Sequence, residues 1–367
     1  MRFSASIVVC ASVLLVAAGA YAATFEELAA KAASARDANN LSQAIDLYRQ
    51  AVELKPDWAE GWWFVGTLAY DSDRYDIGRE AFSEFVKYQA NVPGAWAFLG
   101  LCEFETADYT DALEHIRRGL QGPGLEPAIE QVLRFHEAMA LTRLGLFDQA
   151  MPRYMPFVRR GIHDPNLIAS IGLTALREPQ LPKEIAADQR DVAIAAGETT
   201  YLWMAGDTTK TGPAFQKLVE TYPRTPGVHY LYATYLLSFR PAEEAVEELK
   251  HELEVNPRNA DARAMVALLM FRAGATVTAM PLAQRAAADG PMSPMAQYTY
   301  GLILLGVPDL KEAIERLESA ERLDPANIEY HMALAGAYSK AGRHEDARRE
   351  RRTSLTMAKE SDSRGQE

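Results

Sequence analysis

Four prolines set the frame for this chain: Pro223, Pro257, Pro291 and Pro325 follow one another at intervals of 34 residues. Ala245, Ala279, Ala313 and Ala347 keep the same interval, and so do Ala44, Gly78 and Ala112 in the N-terminal half. Trp62 and Trp96 are also 34 apart, inside the matching strings Ala59-Glu-Gly-Trp-Trp-Phe-Val-Gly66 and Pro93-Gly-Ala-Trp-Ala-Phe-Leu-Gly100. A constant period of this length makes each repeat one supersecondary unit that buries its apolar face only by stacking on its neighbours. The 367 residues are therefore one elongated array, not the two or three globular domains that length alone would suggest.

One unit shows the physics. From Pro294, Tyr298, Tyr300, Leu302, Leu304 and Leu305 lie at helical spacing, and Pro308-Asp309 interrupts them. Ala313, Leu317, Ala320 and Leu323 then mark a second helical face, which Asp324-Pro325 ends. Each unit is thus two helices of about three turns joined by a short turn. Small residues recur at unit position 8 (Gly66, Gly100, Gly172 and Gly301, with Ala at 32, 138, 233, 267 and 335) and again at position 20. Two helices approach closely only where neither carries bulk, so these positions mark the contact within each pair.

Unit starts fall at Phe25, Ala59, Pro93, Gln131, Pro165, Val192, Pro226, Ala260, Pro294 and Ile328. The step to Gln131 is 38 residues because Gly122-Pro-Gly-Leu125 inserts a turn. The step from Pro165 to Val192 is only 27, and Glu178-Pro179-Gln-Leu-Pro182 blocks a second helix on schedule. A degenerate unit with a kink or flexible joint is expected at 165–191. Pro152 and Pro281 both occupy position 22, expected to be the first turn of a second helix, where a missing N–H costs nothing.

This pattern resembles the tetratricopeptide repeat (TPR) family, whose 34-residue unit has an aromatic at position 4, Leu-Gly at 7–8, an aromatic near 11–12, Ala at 20 and 27, a bulky residue at 24 and Pro at 32. Trp96, Leu99, Gly100, Phe104, Tyr109, Ala112 and Ile116 match one unit. Ala313, Leu317, Ala320 and Pro325 match another, as do Ala44, Tyr48, Ala51 and Pro56. The resemblance implies an all-α, right-handed superhelical solenoid of about ten antiparallel helix pairs. N-terminal units would occupy 25–164 and C-terminal units 192–358.

The ends differ from the array. Arg2, the uncharged apolar run Ile7 to Ala20 and Ala20-Tyr21-Ala22 form the pattern of a secretory signal over 1–22, with cleavage expected after Ala22. Fourteen residues are short for a membrane span, which needs roughly 20. The mature protein is expected to be exported, periplasmic or extracellular, with no integral span. Glu345-Asp346 and Arg348-Arg-Glu-Arg-Arg352 make the last helix polar, as a solenoid's terminal helix must be, and 359–367 reads as a disordered tail.

Composition narrows the chemistry. Acidic residues outnumber basic ones 50 to 38, and the net charge of −12 argues against a nucleic-acid ligand. His136-Glu137 and His344-Glu345 each lack the second histidine of a zinc-protease helix. His229 and His331 occupy position 4, a packing position, and Cys102 reads as a small buried residue. Gly206-Asp-Thr-Thr-Lys210-Thr211 follows a helix and lacks the glycine of a phosphate loop. No catalytic residue, cofactor or metal is expected, and the chain reads as non-enzymatic.

The resemblance carries a binding function instead: first-helix positions 2, 5, 9, 12 and 13 line a concave groove for peptides or protein segments. Position 5 brings Trp63, Phe135, Tyr230, Tyr298 and Met332. Position 12 brings Tyr70, Phe104, Leu176, Trp203, Leu237, Phe271 and Leu305, and position 13 Arg143, Arg177 and Arg272. An aromatic groove binding an extended or helical segment is the expectation. The competing reading packs these side chains between neighbouring first helices. A self-associating envelope spacer and a glycan or small-molecule receptor are the alternatives of other classes.

Overall fold

The computed structural model describes residues 23–306 and 310–364. The expected signal at 1–22, the Pro308-Asp309 turn and the final three residues lie outside them. Among the described residues there are nineteen α-helices. The first four pairs are α1 (Phe25–Asp37) with α2 (Leu41–Leu54), α3 (Ala59–Tyr70) with α4 (Tyr75–Tyr88), α5 (Pro93–Glu105) with α6 (Tyr109–Gln121), and α7 (Pro127–Arg143) with α8 (Phe147–Arg159). Next come α9 (Pro165–Ala175), α10 (Arg190–Met204) and α11 (Thr211–Thr221). The last four pairs are α12 (Val228–Phe239) with α13 (Ala242–Val255), α14 (Ala260–Arg272) with α15 (Thr276–Asp289), α16 (Pro294–Leu304) with α17 (Leu310–Leu323), and α18 (Ile328–Lys340) with α19 (His344–Arg364). The result is an all-α helical repeat superhelix. Helix α19 runs to Arg364, so it overlaps the stretch read as a tail.

Local sequence explains the boundaries. Proline opens α5, α7, α9 and α16, where its absent N–H is one of the helix's unpaired donors. Asp164, Asn259, Ser293 and Asn327 cap first helices through side-chain oxygens. Seven of the turns inside a pair place unit position 15 in the left-handed region: Asn39, Asp73, Ala107, Gly145, Gly206, Gly274 and Gly342. Pro152 and Pro281 depart from expectation. Helices α8 and α15 begin at Phe147 and Thr276, so each proline is the sixth helical residue and removes one interior hydrogen bond.

The core is a chain of small clusters between successive pairs. Ala32, Ala44, Ile45 and Tyr48 meet Val65, Leu68 and Ala69, for example. At the other end Leu317, Ala320, Leu334 and Tyr338 repeat the arrangement.

Stacking is interrupted after α9. Arg177 takes φ 59° at position 13, two residues early, and Glu178-Pro179 follows, so no second helix forms. Residues 176–189 instead make a loop with one 3₁₀ turn at Pro182–Glu184. The loop is packed: Leu181 is buried against Phe104, Leu113 and Met139, and Ile185 against Ala169, Leu173 and Ala193. Helix α10 then lies directly on α9. A Cβ built on Gly172 would overlap the Ala193 carbonyl oxygen, and one on Gly197 the Ile168 carbonyl oxygen. Only glycine allows the two backbones this close.

Beyond this joint the superhelix curls back on itself. Gln149 Nε2 donates to the Leu323 carbonyl at 2.8 Å, and Arg177 bridges Asp148 of α8 and Asp261 of α14.

Candidate functional site

The curl bounds an open cavity of about 1330 Å³. Its walls come from α8 (Met151, Pro152, Met155, Pro156), α10 (Thr200, Trp203, Met204) and α12 (Tyr230, Leu231, Thr234). The turn into α18 adds Asp324 and Asn327, α18 adds Ile328 and Glu329, and α19 adds Met357. The surface is mostly apolar with polar groups at fixed points, the usual make-up of a binding cavity.

Of the fifteen groove residues read from the repeat register, three line this cavity: Arg177, Trp203 and Tyr230. The rest are distributed differently. Trp63 and Tyr70 are half-buried in a ring cluster, with Trp63 5.8 Å from Phe82 and Tyr70 5.2 Å from Phe98. Phe135 packs edge-on to Phe157 at 5.9 Å. Phe271 is half-buried against the small-residue cluster of α15. Arg143 pairs with Glu184 at 3.5 Å, and Arg272 stays exposed.

Four expectations are corrected outright. Phe104, Leu176, Tyr230 and Tyr298 are buried, so they do not present an open aromatic surface. Phe104 meets Tyr109 and His136, and the Tyr298 ring lies tilted 4.9 Å from Tyr330 of the next unit. At these four positions neighbouring elements cover the side chain, whereas Met332, at position 5 of the last unit, stays exposed. Tyr230, although buried, still contributes to the cavity wall.

Arg177 is likewise committed internally. Its Nη1 and Nη2 each donate to Asp148 at 3.0 Å and its Nε to Asp261 at 2.7 Å. The guanidinium also lies over the Tyr230 ring at 5.0 Å. Two carboxylates raise its pKa further above the ordinary arginine value despite its burial.

The α8 wall was missed because the family register assigns the groove to first helices, and α8 is a second helix. The available signal was Met151-Pro152 followed four residues later by Met155-Pro156, which puts flexible apolar side chains on one helix face. Beneath the cavity floor lies a buried hydroxyl network. Thr142 and Thr174 hydroxyls are 2.6 Å apart, and Tyr154 is within 3.4 Å of Thr142. Thr200, 1% exposed, lines the cavity with its Oγ1 unbonded.

Cys102 is fully buried, and burial pushes its thiol up to about 12. Among the described residues no group of His, Cys, Asp and Glu is arranged to hold a metal ion, and no helix is long and apolar enough to cross a membrane.

Comparison with known families gives matches to two models described as tetratricopeptide repeat, one over residues 29–76 and 66–126 and the other over 304–351. No curated protein matches. Among solved structures, MamA (residue 41 to its end) from Desulfovibrio magneticus RS-1 is 19% identical over 47% of this chain and 97% of its own, with a TM-score of 0.37. The APC/C hetero-tetramer Cut9-Hcn1 is 14% identical over 91% of this chain and 66% of that one, with a TM-score of 0.37. Yeast Tom70 is 13% identical over 91% and 92% respectively, with a TM-score of 0.34.

Proposed function

This chain is a tetratricopeptide-repeat protein, and from that premise we propose that it is a non-enzymatic interaction scaffold whose partner segment lies in the cavity bounded by α8, α10, α12 and α18. The observation that carries this is the cavity itself: about 1330 Å³ walled by Met151, Met155, Met204, Trp203 and Ile328. Methionines adapt to an occupant's shape, and a tryptophan offers a rigid anchor of large area. An extended or helical segment of a protein is the fitting occupant. We place the scaffold outside the cytoplasm on the strength of the apolar run Ile7 to Ala20 and the Ala20-Tyr21-Ala22 site.

Capture from the envelope fraction tests the reading. Met155→Arg puts a charge into the apolar wall, and Trp203→Ala removes the anchor. Each should release a partner that the unaltered protein retains, with helicity unchanged. A partner held equally by both folded variants would show that the cavity is not where it binds.

A further inference from the structure

A smaller chamber of about 190 Å³ adjoins the main cavity and shares Phe147, Asp148, Gln149, Arg177 and Asp324 with it. Its wall also includes Asp261 and Ser293. Three carboxylates and one guanidinium therefore line it. Arg177 is spent on two of them, since its bonds go to Asp148 and Asp261. Asp324, only 6% exposed, gets none of those bonds; it accepts instead from the Ala326 backbone N–H and the Asn327 side chain, neutral donors that leave its charge in place.

Resting on the reading of the main cavity as the partner site, we propose that this chamber receives a cationic side chain, an ammonium or a guanidinium, carried by the partner segment.

The argument is one of charge. With Arg177 counted, Asp148, Asp261 and Asp324 leave two negative charges around the chamber, and although Asp148 is half-exposed, Asp261 and Asp324 are largely withdrawn from water, where net charge is costly. The carboxyls register the deficit. Asp148 is pushed above the usual carboxylate range by burial and by the charge of Asp261, and Asp324 by burial and by the charge of Asp148. An apolar occupant would worsen this, and a cation would relieve it.

The other charged groups on the main cavity agree. Glu329 stands on the same wall as Asp324. Arg153 and Arg159 stand on the opposite wall, α8, and Arg153 is held by Glu137 at 3.2 Å. A separate observation also points to an occupant with polar groups: the Thr200 hydroxyl, buried and without a partner, lines the same cavity. A bare metal ion is a poor alternative, because these carboxylates are not arranged as a ligand set.

The test is selection of a random peptide-display library on the full-length protein, followed by fluorescence-anisotropy titration of the selected peptides. Selected peptides should carry Lys or Arg beside apolar residues. Replacing that residue by its neutral isostere, norleucine or citrulline, should weaken binding about tenfold to the unaltered protein. On Asp324→Asn the same replacement should matter less than about twofold, as a double-mutant cycle requires. Peptides that are lost on Met155→Arg but keep full affinity after the isostere swap would overturn the chamber inference and leave the cavity reading standing. Peptides that bind Met155→Arg as well as the unaltered protein would overturn both. Should Asp324→Asn not fold, the isostere swap on the unaltered protein decides alone, and unchanged affinity there overturns the proposal.

Discussion

The direct contact of α9 and α10 makes a sharp prediction at Gly172. A Cβ there would overlap the Ala193 carbonyl oxygen and lie 2.8 Å from its carbon and 2.9 Å from Gly197 N. Non-bonded carbon contacts settle at roughly 3.5–4.0 Å, so the helices must part by about an ångström. Overpacking costs about 1–3 kcal/mol, and the top of that range applies because a backbone carbonyl cannot rotate away as a side chain can. Helix propensity offsets about 1 kcal/mol of this. Gly172→Ala should therefore lose about 2 kcal/mol. Gly336 of α18 is the control, since it is exposed and a Cβ there meets nothing within 4 Å. Gly336→Ala should gain up to about 1 kcal/mol from propensity alone. The same chemical change thus moves stability in opposite directions. Urea unfolding followed by circular dichroism reads both. Because solenoid stability is a sum over neighbouring interfaces, Gly172→Ala should also broaden or split the transition at the joint. A Gly172→Ala midpoint equal to or above that of the unaltered protein would refute the close-contact reasoning.

Three further outcomes are expected. His229 faces Glu248 at 2.7 Å and the Pro223 carbonyl at 2.9 Å, and His331 faces Glu350 at 2.8 Å and the Pro325 carbonyl at 3.0 Å, so only the doubly protonated ring satisfies both sides. Both histidines have raised pKa, His229 chiefly through its bond to Glu248, His331 because bonds to Pro325 and Glu350 outweigh its burial. Their stabilisation is complete below about pH 6.5 and is lost as pH rises through the higher folded-state value. Glu248→Gln with Glu350→Gln should flatten that decline, and an unchanged slope of midpoint against pH would count against it. Arg177→Gln strands Asp148 and Asp261 and should cost about 2 kcal/mol, less than a fully buried pair because Asp148 is half-exposed. Small-angle scattering should show a larger radius of gyration, and an unchanged radius would mean that Arg177 does not hold the curl. Cys102, its thiol pushed up to about 12, should resist maleimide labelling at neutral pH until the chain is denatured, and rapid labelling of the folded protein would contradict its burial.

The helix pairs were legible because their cause is local and repeated. Ala44, Ala112, Ala245, Ala279, Ala313 and Ala347 are buried to within 1% exposure, and each sits where two helices must touch. The groove was not legible for a physical reason. Register says which side of a helix a residue leaves from, but how tightly units wind decides whether Phe104 or Tyr298 meets solvent or the next helix. The cavity lies further still from local pattern. It exists because Arg177 reaches Asp261 and Gln149 reaches Leu323, 84 and 174 residues along the chain, and no periodicity encodes those meetings. Arg177 at position 13 did carry a signal, though for closure of the superhelix and not for an open groove.

Position 4 of the unit shows how much of the polar chemistry is structural. Trp62 donates to the Pro56 carbonyl at 2.8 Å and Trp96 to that of Ala90 at 2.8 Å. His229, Arg263, Gln297 and His331 likewise donate to Pro223, Pro257, Pro291 and Pro325. In all six the acceptor lies six residues earlier, at position 32 of the preceding unit, just beyond the end of its second helix. There a carbonyl has no helical N–H to accept, and four chemically different side chains supply the same thing, a ring or side-chain N–H at the right height. The two position-4 histidines are therefore fixed as donors between units, and neither has a ring nitrogen free for proton transfer or metal ligation. Trp62 and Trp96 are held in the same way. The unbonded Thr200 hydroxyl, the methionine wall of α8 and the carboxylates of Asp148 and Asp324 meet in one place. That convergence, more than the size of the cavity, is what supports the proposal that a partner segment lies there.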